Sequence, residues 1–168
     1  MIKDINIGDL LTFKASDNKY KALICTSTYK DKSPQNFTFA ALTYDNDYKP
    51  TISEILDCDF YGIGNTKNDY FRYTDKELRN MWLFHPEIEP CFLGSYGLVI
   101  WRKDFMRFRE NFELIGNISI VDNLDKNGNG SMNASAIDVL NNLFVNLDSI
   151  LIDNRNQKRF KFKALLKD

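Results

Sequence analysis

An alternating set of potential ligands surrounds the only histidine of the chain: His85, Glu87, Glu89 and Cys91. On an extended backbone, every second side chain points to the same side, so these four residues could bind a metal ion or supply a Cys–His pair for nucleophilic catalysis. Two prolines interrupt the segment, however, which favours a connecting loop. We therefore predict no catalytic residue, no metal site and no cofactor; an enzyme that uses His85 and Cys91 is the third of three hypotheses.

The polar stretch from Asp125 to Asn133 begins like the calcium-binding loop of an EF-hand. Oxygen-bearing side chains occupy alternating positions, and Gly130 stands where that loop needs a sharp turn. The twelfth position is Ala136, where a bidentate Glu is expected, and the preceding segment resembles a strand rather than a helix. A turn rich in Asn and Gly that leads into a helix is the better interpretation. Ion binding by this loop stays open.

A basic and aromatic segment follows the apolar run 98–101. Its aromatic residues recur at helical spacing: Trp101, Phe105, Phe108 and Phe112. Such a segment can stack bases and contact phosphates, so the alternative function is a small nucleic-acid-binding β-barrel that uses Trp101, Arg102, Arg107 and Arg109. Aromatics at this spacing more often belong to a core. The net charge of −1, from 22 basic and 23 acidic residues, also does not favour a dedicated nucleic-acid binder.

An acidic, tyrosine-rich stretch runs from Tyr44 to Tyr48. Tyrosine is common at the energetic centres of interfaces, and carboxylates complement a basic partner such as a nuclease. An ordinary hairpin loop is the other interpretation. The predicted partner contacts are Tyr44, Asp45, Asp47, Tyr48, Asp69 and Tyr70. Joint charge reversal at Asp45 and Asp47 is expected to weaken binding to a basic partner.

The length of 168 residues predicts a single domain, residues 1–168, with a substantial core that its 13 Phe and 8 Tyr help to fill. The start of the chain has no uninterrupted apolar segment, so no signal peptide is predicted, and no apolar run reaches the ~20 residues of a membrane span. Three cysteines without close pairing favour reduced thiols and a cytoplasmic protein.

The spacing of apolar residues predicts an α+β fold: an antiparallel β meander, curled into a partly open barrel, with two or three helices. The strands are predicted at 10–14, 20–29, 37–44, 60–64, 98–101, 114–121 and 159–164. A capping box at Thr51 predicts a helical turn over 52–56, and another at Thr74 predicts a helix that ends before Pro86. The longest helix is expected at 134–151, with Asn133 or Ser135 as its N-cap. The last strand is expected at an exposed edge protected by lysines.

Two stretches resemble a known family. One is Gly8-Asp9-Leu-Leu-Thr-Phe13 with Lys19-Tyr20-Lys-Ala-Leu-Ile24; the other is Gly94-Ser-Tyr96 with Val99-Ile100 and Phe112-Glu-Leu-Ile115-Gly116-Asn-Ile118. Across residues 5–121 they resemble the small, β-rich immunity proteins of bacterial polymorphic toxin systems, particularly the immunity protein 26 family. The resemblance implies a cytoplasmic inhibitor that binds and neutralises a cognate toxin, often a nuclease, and it implies no catalytic residues.

Overall fold

The computed structural model describes residues 2–30, 32–64, 93–95, 98–120, 132–155 and 157–167. Their strands form a six-stranded sheet with the order β7-β1-β2-β3-β6-β8 and a three-stranded sheet with the order β5-β4-β9. The strands are β1 (Asp9–Lys14), β2 (Tyr20–Tyr29), β3 (Asn36–Ala41), β4 (Asp59–Gly64), β5 (Leu93–Ser95), β6 (Leu98–Trp101), β7 (Phe112–Asn117), β8 (Met132–Asn133) and β9 (Lys158–Lys161). The helices are α1 (Ile52–Leu56), α2 (Arg102–Phe108) and α3 (Ile137–Val145).

The larger sheet is an antiparallel meander, β1-β2-β3, extended on both sides by later strands. β6 joins β3 and β7 joins β1, both antiparallel, and only the short β8 is parallel to its neighbour β6. The sheet does not close on itself, so the predicted α+β class with a partly open meander is confirmed. β2 lies in the middle of this sheet, and its residues 21–28 are buried on both faces.

The contact between Gly8 and Ile118 fixes how the first strand enters the sheet. Gly8 has a φ of +87°, and a Cβ atom there would lie 2.0 Å from the carbonyl oxygen of Ile118. Its own carbonyl accepts a 3.0 Å hydrogen bond from the Ile118 amide. Only glycine combines this conformation with such a close approach. Residues 8–13 and 112–118, one part of each resembling stretch, are thus neighbours, because β1 pairs with β7 beside this contact.

Phenylalanine rings connect the sheet to its helices. Phe13 of β1 packs edge-on against Phe112 of β7 at 5.4 Å and against Phe144 of α3 at 5.0 Å. Phe105 of α2 stacks on Phe112 at 5.6 Å. Each fully buried aromatic side chain stabilises the fold by about 1.5–3 kcal/mol relative to its exposure. The predicted sequence of strand, short helix and strand over 98–121 is therefore observed, with Trp101 as an exception because α2 begins one residue later.

Several predicted element boundaries differ from the structure. β3 ends at Ala41, and β7 spans 112–117 rather than 114–121. The predicted helix over 134–151 is divided into α3 and a π-helical turn at Asp148–Asp153. α3 is the longest helix in the described ranges. Neither Asn133 nor Ser135 caps α3, because Ala136 occupies the N-cap position.

The smaller sheet contains the basic last strand at its edge. β9 pairs only with β4 among the described strands, and its Lys158, Arg159 and Lys161 are exposed, as expected for a protected edge. It ends at Lys161 because residues 162–165 form a 3₁₀ turn that buries Phe162 and Leu165. A bridge between Leu42 and Phe60 joins the two sheets. The predicted helix near Thr74 lies outside the described residues.

Candidate functional site

The predicted contact stretch forms an ordered loop, called here the Tyr48 loop and comprising residues 44–48. Tyr20, the first residue of β2, anchors it: its amide donates a 2.7 Å hydrogen bond to the carbonyl of Asn46, and the Asn46 amide donates back at 3.4 Å. Inside the loop, the Tyr44 hydroxyl donates to the carbonyl of Tyr48 at 2.9 Å. Backbone on both sides of Tyr48 is therefore tied to the sheet.

Tyr48 itself stands out from this support. Its side chain is 57% exposed, and its ring packs edge-on against that of Tyr44 at 6.4 Å. The nearby Glu54 carboxylate raises the pKa of Tyr48, because it favours the protonated phenol. The ring thus packs on Tyr44 while more than half of the side chain faces solvent.

Glu54 connects the loop to the start of α1. The Thr51 hydroxyl accepts a hydrogen bond from the Glu54 amide, and the Glu54 carboxylate accepts one from the Thr51 amide at 2.8 Å, so the predicted capping box is present. The hydrogen bond from the Thr51 amide contributes most to lowering the pKa of Glu54. The same carboxylate therefore caps the helix start and influences Tyr48. Ile52, the first residue of α1, is also exposed and was missed by sequence reasoning; its place at the start of a single-turn helix was the only available signal.

The carboxylate of Asp45 forms an ion pair with a lysine of the sheet. Lys21 of β2 points its ammonium group to Asp45 at 2.7 Å and to Asp17 at 2.6 Å, although only 3% of the Lys21 side chain is exposed. Burial disfavours the charged ammonium, but the two carboxylates outweigh this effect and raise the pKa of Lys21 overall. Lys19 lies 3.5 Å from Asp45 as well. Asp45 thus holds the loop against the sheet.

The six predicted contacts divide accordingly. Tyr44 is only 4% exposed and belongs to the core, whereas Asp47 and Tyr48 face solvent. Asp69 and Tyr70 lie outside the described residues. Within the part of the chain that is described, no cation pairs with Asp47. Of the four predicted contacts in the described part of the chain, Asp47 and Tyr48 are therefore the two that neither belong to the core nor pair with a described cation.

A polar cavity of about 470 Å³ lies behind the loop, between β4, β9 and the end of α3. At its wall, Tyr61 donates a 2.6 Å hydrogen bond to Asp148, which also forms an ion pair with Arg159. Burial and then this hydrogen bond raise the pKa of Tyr61, while Arg159 and Tyr61 lower the pKa of Asp148. All three groups satisfy one another, so the arrangement connects β4, β9 and the helical region rather than presenting a reactive group.

The residues of the nucleic-acid alternative are not brought together as predicted. Trp101 and Arg102 are exposed at the junction of β6 and α2, but Arg107 contacts Asp104 at 3.5 Å and Arg109 donates to the carbonyl of Ile2 at 3.3 Å. The cation beside the Trp101 ring is instead Lys103, whose Nζ lies 5.3 Å from the ring centroid. Trp101 ends β6, so its ring is not part of the helical stripe that includes Phe105 and Phe108.

The remaining chemical candidates offer no built site in the described ranges. His85, Glu87, Glu89, Cys91 and the loop up to residue 131 lie outside those ranges. Where side chains are described, no three His, Cys, Asp or Glu residues are grouped to hold a metal ion. Burial raises the pKa of both the Cys25 and the Cys58 thiols, which makes them poor nucleophiles.

None of the described helices combines the length and the apolar character needed to cross a membrane. Comparison with known proteins adds no relative: no protein-family model matches the chain, and neither the curated proteins nor the solved structures give a match.

Proposed function

We propose that this protein is a cytoplasmic immunity protein that binds a cognate bacterial toxin and neutralises it by covering its active site. The observation that supports this most directly is the presentation of Tyr48, which is 57% exposed on a loop held by the backbone hydrogen bonds between Asn46 and Tyr20 and by the Tyr44 hydroxyl. A rigid aromatic side chain gives a large contact area at low entropic cost, which is what interface centres require.

The charge around Tyr48 fits a basic partner. Asp47 is exposed and unpaired among the described residues, and it lies next to Tyr48 in the chain. The nearest base along the chain, Lys49, is paired with Glu113 at 2.7 Å. The free charge of this surface is therefore negative, and it would complement the positive surface of a nucleic-acid-cleaving toxin.

The family resemblance supports the same proposal. Gly8, in the first resembling stretch, lies directly before β1. Gly116, in the second, lies in β7, which pairs with β1. The side chain of Ile52 of α1 packs over Gly116, and Lys49, directly after the Tyr48 loop, pairs with Glu113 of β7, so β7 lies beside the proposed binding surface. The resembling residues therefore belong to the scaffold of the proposed binding surface, and Tyr48 lies at its solvent side.

Bacterial survival tests the proposal. The C-terminal region of the protein encoded immediately upstream is expressed in a heterologous bacterium with no partner, with the wild-type chain, with Tyr48→Ala or with Tyr29→Ala. Tyr29 is the matched control, since it is also an exposed tyrosine, 41% exposed, but lies at the other end of β2 from Tyr20, which anchors the Tyr48 loop. We expect rescue by the wild type and by Tyr29→Ala, and weaker rescue by Tyr48→Ala.

Affinity measured with the purified pair separates the role of the loop from toxicity. Loss of a central tyrosine typically costs about 2 kcal/mol or more, so Tyr48→Ala should raise the Kd about 30-fold. A toxin that kills regardless of the wild-type chain would refute the immunity function. Rescue by the wild type with an unchanged Kd for Tyr48→Ala would instead place the contact on another surface.

A further inference from the structure

Three residues at one end of the large sheet lie in a row on the same face. Asn36 of β3 pairs with Tyr29 of β2 on one side and with Trp101 of β6 on the other. Residues directly opposite one another in antiparallel strands point to the same face, and the strand spacing places the two aromatic residues about 10 Å apart. Tyr29 is 41% exposed and Trp101 is 47% exposed. We call Tyr29, Asn36 and Trp101 the aromatic row.

Each ring of the row carries its own cation. Lys30 Nζ lies 5.8 Å from the centroid of the Tyr29 ring, and Lys103 Nζ lies 5.3 Å from that of Trp101. Arg102 adds a third exposed cation, with Asp4 as a distant partner at 3.9 Å. The local charge is therefore positive although the whole chain has a net charge of −1. A ligand of this surface should combine flat rings with negative charge.

The surface beside Trp101 is concave. A groove of about 480 Å³ is lined by Gln35, Trp101, Arg102, Lys103 and Met106. Its volume falls in the range of small-molecule sites, about 300–1,000 Å³, and is sufficient for a nucleotide. Trp101 and Met106 offer apolar contact that suits the base of such a ligand. Gln35, Arg102 and Lys103 offer polar contact that suits its phosphate.

The backbone around the row is fixed before any ligand arrives. The Gln35 amide donates to the carbonyl of Tyr29 at 3.1 Å, and the Arg102 amide donates to the carbonyl of Gln35 at 2.9 Å. Lys30 adopts a φ of +61°, a left-handed conformation that turns the chain directly after Tyr29. The turn between β2 and β3 therefore presents Tyr29 and Lys30 beside the start of α2, at little further entropic cost on binding.

We propose that the aromatic row binds single-stranded nucleic acid, with bases stacked on Tyr29 and Trp101 and the phosphates between them near Lys30, Lys103 and Arg102. Every base has a π-face, so two rings on one sheet face bind a strand without strict sequence preference. An acidic peptide would use the three cations but would leave two separated ring faces without a matching group. The site is distinct from the Tyr48 loop, because the two lie at opposite ends of β2, whose ten residues span roughly 30 Å.

Fluorescence anisotropy with labelled single-stranded DNA and RNA of about 12 nucleotides tests this proposal, at about 50 and about 200 mM salt. We expect binding that weakens with salt and that falls about tenfold or more in Trp101→Ala, since stacking is worth about 1–3 kcal/mol per base. Tyr29→Ala should show a similar loss, Trp101→Phe should retain part of the affinity, and Tyr48→Ala should bind like the wild type.

Two results would overturn the proposal. One is no anisotropy change for either oligonucleotide at low salt. The other is binding that Trp101→Ala and Tyr29→Ala leave unchanged. A labelled polyglutamate peptide serves as the competing probe: if it binds more tightly than the oligonucleotides and loses affinity in Lys103→Gln but not in Trp101→Ala, the surface is a site for acidic protein segments. Neither outcome bears on the toxin test, which uses a different face.

Discussion

The ammonium group of Lys21 lies 2.7 Å from the carboxylate of Asp45, across 24 positions of the chain and from inside the sheet. A buried lysine needs a carboxylate, and Asp45 supplies one of two. This pairing makes Asp45 part of the structure of the Tyr48 loop. Asp47, two residues further on, carries the same charge but pairs with no cation among the described residues. A joint reversal of the two charges would therefore report on folding and binding at once.

Single reversals separate these effects. Asp45→Lys places a third ammonium group beside those of Lys21 and Lys19, so we expect a loss of about 1–2 kcal/mol in the free energy of unfolding, a range that allows for the partial exposure of Asp45. Asp47→Lys should change stability by less than about 0.5 kcal/mol. Urea unfolding followed by circular dichroism measures both. Equal stability of the two variants would show that the Lys21 pair contributes nothing.

The two glycines of the resembling stretches should respond very differently to alanine. In Gly8→Ala the new Cβ meets the Ile118 carbonyl oxygen at 2.0 Å in a left-handed backbone, so we expect a loss of about 3 kcal/mol or more. In Gly116→Ala it meets only the end of the Ile52 side chain at 2.9 Å, which can rotate away. Its loss should stay near 1 kcal/mol. Thermal unfolding of the pair checks the order, and a more stable Gly8→Ala would contradict the contact.

Local patterns were sufficient to predict much of the fold. Alternation and apolar runs located β2 and β6 at their observed bounds, and the Thr51–Glu54 spacing located α1, because these signals depend on neighbouring residues only. The predicted continuous helix after residue 134 was wrong in extent for a different reason. Leu140, Phe144 and Leu151 are all buried, but a π-helical turn rather than regular helix carries the last of them. Periodicity does not distinguish these cases.

The candidate site was predictable only in part. Composition indicated the acidic tyrosine stretch, but whether Tyr44 or Tyr48 faces solvent depends on the bridge between Asn46 and Tyr20, which is a tertiary contact. The aromatic row was not predictable, because it depends on the registers of β2, β3 and β6. These registers bring Tyr29 and Trp101, which are 72 residues apart in the chain, to one face of the sheet. Register follows from the whole sheet rather than from a local signal.

The capping box should couple helix stability to the Tyr48 loop. Thr51→Ala removes the hydroxyl that accepts from the Glu54 amide, and loss of such a cap typically costs about 1 kcal/mol. Because the Glu54 carboxylate is also near enough to the Tyr48 hydroxyl to raise its pKa, we expect weaker toxin binding in Thr51→Ala than in Thr51→Ser. Urea unfolding and the Kd of the purified pair check the two effects. Equal affinity of both variants would show that the helix start does not position Tyr48.

The ion pair between Asp148 and Arg159 should make stability depend on acid pH. The Arg159 guanidinium, followed by the Tyr61 hydroxyl, holds the pKa of Asp148 below its ordinary value of about 4. The folded protein therefore keeps this charge at a pH where the unfolded chain has lost it, so the stabilisation is complete above about pH 5 and disappears as the pH falls through the folded-state pKa. Asp148→Asn should lower the Tm at pH 7, and its difference from the wild type should shrink as the pH falls below about 4. Asp153→Asn, at an exposed carboxylate outside this contact, is the control and should follow the wild type throughout. A Tm difference for Asp148→Asn that stays constant from pH 7 to pH 3 would mean that lost packing, rather than lost charge, destabilises the variant.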